Sequence, residues 1–483
     1  MASRGEDREL ERAVANPPAS PVPDKQAQVD AESVGTRAGL MSLCVMLSRI
    51  TGFVRTWAMA FALGSGALAS SYQVANNLPN MLYELVMAGM LVTAFLPVYI
   101  SVKRKQGQQA SNEYASNLLT LVVIILGAVS LLGMLFPQAI VFTQSFYSDQ
   151  GTMATAVLLF QFFAIQTVFY GGSSIVSGLL NANREYFWSS FAPVFNNLAV
   201  IVTFVVYALL APTMPTTALY IIAIGNPFGV VLQMLVQLPA LRKCGVRLRP
   251  RVDIHDPAIR ETLSIGVPAM FIMVCSFITV SVMNAASYCF ADNGPSIIAY
   301  SRLWYTLPYS LVAIPITTAL FTELSHMRED GDEAGFVRTV VDGTAQILFQ
   351  LIPFMLYLIV FAHPLVTLYH IGAFTEEGID QISTFLGALA LALPFYGVYA
   401  YLQKVFSSLR KMGVFAVITL IASVVQVVLT AVAAGTVLRG VAIPVETIAW
   451  ASAVFYLVLD GGSFVYLKRR YGHIGMSRID EIE

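Results

Sequence analysis

Stretches of about 20 predominantly apolar residues, the length that crosses a bilayer as one helix, recur along almost the whole chain. They lie near 38–63, 72–100, 116–136, 153–180, 188–210, 217–240, 262–290, 296–324, 340–362, 383–408, 412–436 and 443–467. The pattern predicts an all-α polytopic membrane protein with about twelve transmembrane helices. Residues 1–35 stand apart: they are polar, of mixed charge, and carry Pro17, Pro18, Pro21 and Pro23, so a disordered tail is expected there. No apolar core follows basic residues before Gly39, so the first span is expected to act as its own insertion signal.

The polar positions between spans alternate in charge. Every second loop is basic, with Lys103, Arg104 and Lys105; Arg184; Arg242, Lys243, Arg247, Arg249, Arg251 and Arg260; Arg328 and Arg338; Arg410 and Lys411; and Lys468, Arg469, Arg470 and Arg478. The opposite loops carry Asp149, Asp292, Glu376, Glu377 and Asp380, with Arg439 as their single basic residue. By the positive-inside rule both termini are expected in the cytoplasm.

TAFLPVYISVKRKQG (93–107) can be laid over TALFTELSHMREDGD (318–332), which sets Lys103 on Arg328. The second and eighth spans share one orientation, which suits two six-helix halves related by an axis along the membrane normal, with a site between them. Chance similarity of two helix ends is the other reading. The expected division is a tail at 1–35, a first lobe at 36–241, a basic linker at 242–261, a second lobe at 262–468 and a tail at 469–483. Pro79, Gly89, Pro97, Pro268, Pro308, Pro315 and Pro394 interrupt spans, as bending points or as inert kinks.

Composition strengthens the membrane reading. The chain is 57% hydrophobic and 12% charged, against roughly 25% charged in soluble domains. Its net charge of -1 says nothing about partners, and no nucleic-acid partner is expected. Cys44, Cys244, Cys275 and Cys289 show no CxxC spacing, and the five histidines form no ligand cluster; no metal or disulfide is expected. No phosphate loop of the GxxxxGK[ST] type occurs, so no cofactor is expected and any driving force must come from gradients or membrane potential. No nucleophile, base or metal constellation points to an enzyme.

The candidate chemistry is charge at bilayer depth. Arg49 and Arg55 in the first span and Glu84 in the second are costly in hydrocarbon, and such residues mark polar cavities by default. Counting along each helix at a rise of about 1.5 Å per residue sets Arg49 and Glu84 at the same depth, which predicts that they pair in at least one state. Asn76, Asn77, Asn196 and Asn197 could bind sugar hydroxyls or tie helices together. Asp460 in the last span could bind a coupling cation or be a bonded structural carboxylate, and Lys404 lies near enough to a helix end to snorkel.

The run SRITGFVR (48–55), LPN at 78–80 with Ala88 and Gly89 beyond it, TAFLPV (93–98), SGLLNANREYFWSSFAPVFNN (177–197) and AYSRLWYTLPYSLVAIPITTAL (299–320) together resemble the MurJ/MviN family. The resemblance implies a two-lobed, MATE-like alternating-access fold around a central cavity in the bacterial cytoplasmic membrane. It also implies flipping of a polyprenyl-pyrophosphate-linked saccharide, lipid II first among them, for cell-wall synthesis. The family's cavity arginines match Arg49, Arg55 and Arg302, and guanidinium forks suit pyrophosphate oxygens.

Three departures stand beside that. Tyr83 and Glu84 occupy the place of an arginine pair, Ser70 that of an acidic residue, and the family's two further helices are not found after the twelfth span. The expected cavity charge is therefore +2, from Arg49, Arg55 and Arg302 against Glu84. Other readings are an exporter of another lipid-linked oligosaccharide or of amphipathic cations, or a non-transporting scaffold for cell-wall synthesis proteins.

Overall fold

The computed structural model describes residues 25–90 and 95–472, with side chains described for 43–87, 95–262, 270–328 and 330–472. Its first half runs through α1 (Lys25–Leu63), α2 (Ala67–Met90), α3 (Leu96–Leu135), α4 (Pro137–Ser145), α5 (Gln150–Phe163), α6 (Gln166–Ala182), α7 (Tyr186–Leu210), α8 (Pro215–Leu235) and the short α9 (Leu238–Lys243). The second half runs through α10 (Pro257–Ser287), α11 (Gly294–Pro308), a π-turn at Tyr309–Ala313, α12 (Ile314–Asp330), α13 (Glu333–Thr367), α14 (Glu376–Ala390), α15 (Leu393–Ser408), α16 (Met412–Leu438) and α17 (Glu446–Tyr471). Among the described residues there is no strand.

Among the described residues eight helices are long and apolar enough to cross a membrane, and up to ten spans result when each of two bent helix pairs counts once. Those ten do not include α1 or α2. The charges of Arg49 and Arg55, and the polar Gln73, Asn76, Asn77, Asn80 and Glu84, lower their apolar character. Both are nevertheless packed into the bundle, α1 along α7 and α2 against α5 and α10.

Proline marks where several helices begin. Pro97, Pro137, Pro215, Pro257, Pro295, Pro315 and Pro394 all sit in a first helical turn, where the missing N–H has no intrahelical partner to lose. Pro308 immediately precedes the π-turn, and Pro79 lies inside α2. Helix α5 is capped by Asp149, whose carboxylate accepts from the backbone N–H groups of Gly151 and Thr152 at 2.7 and 3.0 Å. The tail expected at 1–35 is helical from Lys25 onward, because its helix-breaking prolines end at Pro23. Residues 1–24 and 473–483, most of the two expected tails, lie outside the described residues, as do residues 91–94 of the TAFLPV region.

The repeat seen faintly in the sequence recurs in backbone geometry. The first bent pair, α5 and α6, turns by 43° next to Ala164, and the second, α14 and α15, turns by 52° next to Leu391. Gly107 interrupts α3 with φ +87°, and Gly331 ends α12 with φ +75°. The two non-glycine residues with positive φ among the described residues are Arg184 and Arg410. Each of these pairs is separated along the chain by nearly the same interval as Lys103 and Arg328. Features this local recurring at one spacing favour repetition over chance.

Helices of each half pack chiefly on one another, and the halves meet where α2, α3 and α4 touch α10 and where α2 touches α11. Their connection is extended and fixed. Arg249 and Arg251 donate backbone N–H groups to the hydroxyls of Ser116 and Thr120 on α3, and Asn117 bonds the backbone of Asp253 in both directions at 2.7 and 2.8 Å. The expected linker, 242–261, is thus extended only in its middle: α9 ends at Lys243 and α10 starts at Pro257.

Hydrogen bonds between the halves gather at the face opposite the basic loops. Phe61 accepts from the Ala373 N–H at 3.0 Å, Trp57 donates to the Leu368 carbonyl, the Tyr300 hydroxyl donates to Gly64, and Ser296 donates to the Ser65 carbonyl. Gly64 and Gly372 have positive φ, and a Cβ on either would lie 2.4 Å from a carbonyl oxygen of the other half, that of Ala373 or Phe61. Alanine at Gly64 or Gly372 is expected to weaken this seam by more than about 1 kcal/mol. Labelling of Ser65→Cys, buried in the wild type, should then speed up, while Gly66→Ala, with open space around it, should leave labelling unchanged.

Candidate functional site

Helix α2 places Gln73, Asn77, Asn80 and Glu84 at spacings of four, three and four residues, which puts them on one face. That face, with Met273, Ser276, Phe277, Val280 and Asn284 of α10 and Pro295, Ile298, Ala299 and Arg302 of α11, lines a cavity of about 340 Å³ between the two halves. Gln73, Asn77 and Asn80 are half-buried, whereas Glu84 and Arg302 are exposed. Exposure therefore grows toward the basic face, and the chamber opens that way.

Arg302 is the hinge of the site. It lines the main chamber and also a second cavity of about 230 Å³ inside the second half, walled by Tyr305, Tyr396, Tyr399, Tyr456, Phe385 and Phe455 with Thr419, Ser423, Gln426 and Ser452. The rings form a connected cluster, with centroids 4.3 Å apart for Tyr309 and Tyr396 and 5.3 Å for Tyr396 and Tyr456. Arg302 acts through space on the Glu84 carboxylate, which also accepts from Asn80 Nδ2 at 3.4 Å. Arg302 and Glu84 thus face one chamber without closing into an ion pair.

Arg55 occupies a third, smaller cavity of about 160 Å³ with Thr56, Tyr72, Gln73, Asn76 and Asn197. Its guanidinium lies beside the Tyr72 and Tyr170 phenols. Gln73 lines both this cavity and the main chamber, so the two adjoin. Arg49 lines neither. It is exposed, and Nη1 reaches the Ser310 hydroxyl in the π-turn at 3.4 Å.

The expected pairing of Arg49 with Glu84 is absent from the ion pairs among the described residues. In this state the face of α2 that bears Glu84 looks toward α11 and Arg302. The chamber also departs from the expected charge of +2. Its own lining holds Arg302 against Glu84, with Arg55 one compartment away and Arg49 at the edge.

The asparagines divide. Asn77 lines the chamber and donates to Met81 Sδ at 3.1 Å. Asn76 accepts from Asn226 Nδ2 at 2.7 Å, and Asn226 accepts from the Tyr72 hydroxyl, tying α2 to α8. Asn197 donates to the Ser48 carbonyl and the Thr51 hydroxyl and binds α7 to α1; Asn196 donates to Gln233. Asp460 lies outside the three cavities, buried in α17. Lys404 stands over the Phe321 ring, 5.3 Å from its centroid.

Sequence reasoning missed Gln73, Asn80, Ser276, Asn284 and the tyrosine cluster. The polar face of α2 at 73, 77, 80 and 84 was a readable signal; the tyrosines come from three separated helices and gave none. Asn226→Leu is expected to leave Tyr72 and Asn76 without their shared partner, at a cost of about 1–3 kcal/mol, seen as a lower melting temperature of the purified protein. Asn77→Leu, which breaks only a weak bond to sulfur, should change it far less.

The same architecture recurs in known proteins. A solved structure titled lipid II flippase MurJ, inward closed conformation, superposes with a TM-score of 0.73 at 20% identity, covering 89% of this chain and 87% of that one. An inward-facing MATE family multidrug transporter follows at 0.72 and 12% identity, covering 89% and 96%. A lipid II flippase MurJ from Burkholderia cenocepacia is 27% identical over 356 residues, 72% of this chain and 68% of the relative. Residues 59–478 match the family profile described as lipid II flippase MurJ, and on a match spanning most of its length the chain belongs to the MurJ family.

Proposed function

We propose that this protein is a lipid II flippase, which carries a polyprenyl-pyrophosphate-linked saccharide across the membrane by alternating access and is not an enzyme. The observation that carries the reading is the chamber between the halves, with Arg302 at the junction of its polar and aromatic compartments. Arg302 offers a fork of donors to pyrophosphate oxygens. Gln73, Asn77 and Asn80 offer amide donors and acceptors to the saccharide. Membership of the MurJ family supplies the substrate class.

The chamber opens toward the face with the basic loops, and the seam on the opposite face is hydrogen-bonded. With the basic loops in the cytoplasm, both termini are cytoplasmic and the chamber receives substrate from the inner leaflet. The two halves, 36–241 and 262–468 with the linker 242–261 between them, then act as the moving lobes. Arg49, exposed beside the π-turn, stands at the chamber's rim, where it meets the phosphate before Arg302 does. An exporter of amphipathic cations would be served by Glu84 but opposed by Arg302 and Arg55. A scaffold for cell-wall synthesis proteins would leave the polar chamber without a role.

Depletion of the protein in a host with no redundant flippase is expected to accumulate lipid II in the inner leaflet; an unchanged distribution would sink the proposal. In that host Arg302→Ala should fail to complement at wild-type protein level, and Arg302→Lys should restore only part of the function. A charge-assisted hydrogen bond of about 2 kcal/mol corresponds to roughly a thirtyfold loss of affinity.

Glu84 competes with the incoming phosphate for the field of Arg302. Glu84→Gln is expected to tighten binding of the pyrophosphate headgroup to purified protein severalfold while slowing release, so that turnover falls. Binding equal to wild type would show that Glu84 faces chamber water and does not bias Arg302.

A further inference from the structure

The cavity behind Arg302 has two unlike walls. One is aromatic: Tyr396, Tyr399, Phe455 and Tyr456 line it and are half-buried although they lie inside the second half. Their rings form one surface, with centroids 5.3 Å apart for Tyr396 and Tyr456 and 5.6 Å for Tyr399 and Tyr456. The other wall is polar. Thr419, Ser423 and Gln426 follow one another on α16 at intervals of four and three residues, hence on one face, and Gln426 donates to Ser452 of α17 at 3.1 Å.

Two hydroxyls of this lining lack a partner. Tyr305 and Ser423 are 4% and 5% exposed, and neither side-chain oxygen makes a hydrogen bond. Orphaned buried hydroxyls are costly, and in native proteins they call for an explanation. The Thr419 hydroxyl donates to the Phe415 carbonyl at 2.8 Å, so its oxygen can still accept. The cavity thus offers ring faces on one side and unmet hydrogen-bonding groups on the other.

An occupant that suits both walls has an apolar face and a polar edge. Hydrocarbon would leave the hydroxyls unmet. A cation would meet Arg302, the charged side chain of the lining. A pyranose ring fits both walls: its C–H groups lie against aromatic faces, while its hydroxyl and amide substituents reach donors and acceptors around its rim.

We propose that the cavity walled by Tyr305, Tyr396, Tyr456 and Ser423 is the subsite for the pyranose ring attached directly to the pyrophosphate of the substrate. The cavity shares Ser276, Val280, Ile298 and Arg302 with the main chamber. In a polyprenyl-pyrophosphate-linked saccharide a single oxygen joins the first sugar to the pyrophosphate, so a phosphate on Arg302 delivers that ring to the tyrosines. Units beyond it stay in the main chamber with Gln73, Asn77 and Asn80. The proposal rests on the flippase reading for the phosphate at Arg302. Its consequence is that the second half distinguishes a glycosylated lipid from the bare polyprenyl pyrophosphate.

The test is binding of three probes to the purified full-length protein: a short-chain polyprenyl pyrophosphate, the same lipid carrying one N-acetylated amino sugar, and a longer-chain polyprenyl pyrophosphate without sugar. Wild type is expected to hold the glycosylated probe more than about tenfold more tightly than its bare counterpart, as two or more neutral hydrogen bonds provide. Tyr305→Phe and Ser423→Ala should each weaken the glycosylated probe about fivefold and leave the bare one unchanged. The melting temperature of the ligand-free variants should hold or rise, because an unpartnered hydroxyl is removed; a merely structural hydroxyl would lower it. Ser276→Trp, at an exposed position lining both cavities, should abolish the preference without disturbing the interior. Equal affinity of wild type for the two short probes, no binding of either, or a preference that survives all three variants overturns the proposal. A preference for chain length in place of the sugar, lost in the same variants, gives the cavity to hydrocarbon and overturns it as well. Sugar preference lost in the variants, with unchanged lipid II distribution on depletion, would keep the subsite and remove the flippase reading. Lipid II accumulation on depletion without any sugar preference would remove the subsite alone.

Discussion

Charge in hydrocarbon must be hydrated or paired, and the rest of this bundle is arranged around that constraint. Arg302 and Glu84 stand on helices of different halves and look into one chamber, near enough to act on each other and too far to close. A cleft between two lobes thus follows from the two side chains as much as from the packing around them.

Many of the other polar groups of the spans hold helices in place. Asn226 links Tyr72 to Asn76, Asn197 clamps α7 to α1, and Asn284 of α10 donates to Gln144 of α4 at 2.9 Å. The bonds between halves concentrate at one face, where the small glycines Gly64 and Gly372 let backbones touch. Such a seam is a unit that forms or parts as a whole, since each hydrogen bond there depends on the close approach that the others share.

Repetition accounts for much of the shape. The bends at Ala164 and Leu391, the glycine breaks at Gly107 and Gly331, and the left-handed Arg184 and Arg410 recur at nearly one interval along the chain. The side chains have diverged far more than the backbone. Arg302 and the tyrosine cavity belong to the second half, and the polar stripe of α2 belongs to the first, so the chamber is asymmetric although its walls are related.

Helix number, helix order and the polarity of the loops were fixed locally, because a run of about 20 apolar residues and the charges flanking it need no distant partner to be recognised. Glu84 and Asn77 stood out as candidates for the same reason, since a polar side chain within an apolar span is conspicuous in one dimension, whereas Arg302 was singled out by the family resemblance. Depth alone could not decide neighbours. Counting along the helices puts Arg49 and Glu84 at one level, yet the face of α2 that bears Glu84 turns toward Arg302, and Arg49 reaches Ser310 instead. The same rotation made Asn76 a tie to α8 and its neighbour Asn77 a wall of the chamber. The tyrosine cavity draws on α11, α15 and α17, and only the packing of these separated helices brings its rings together.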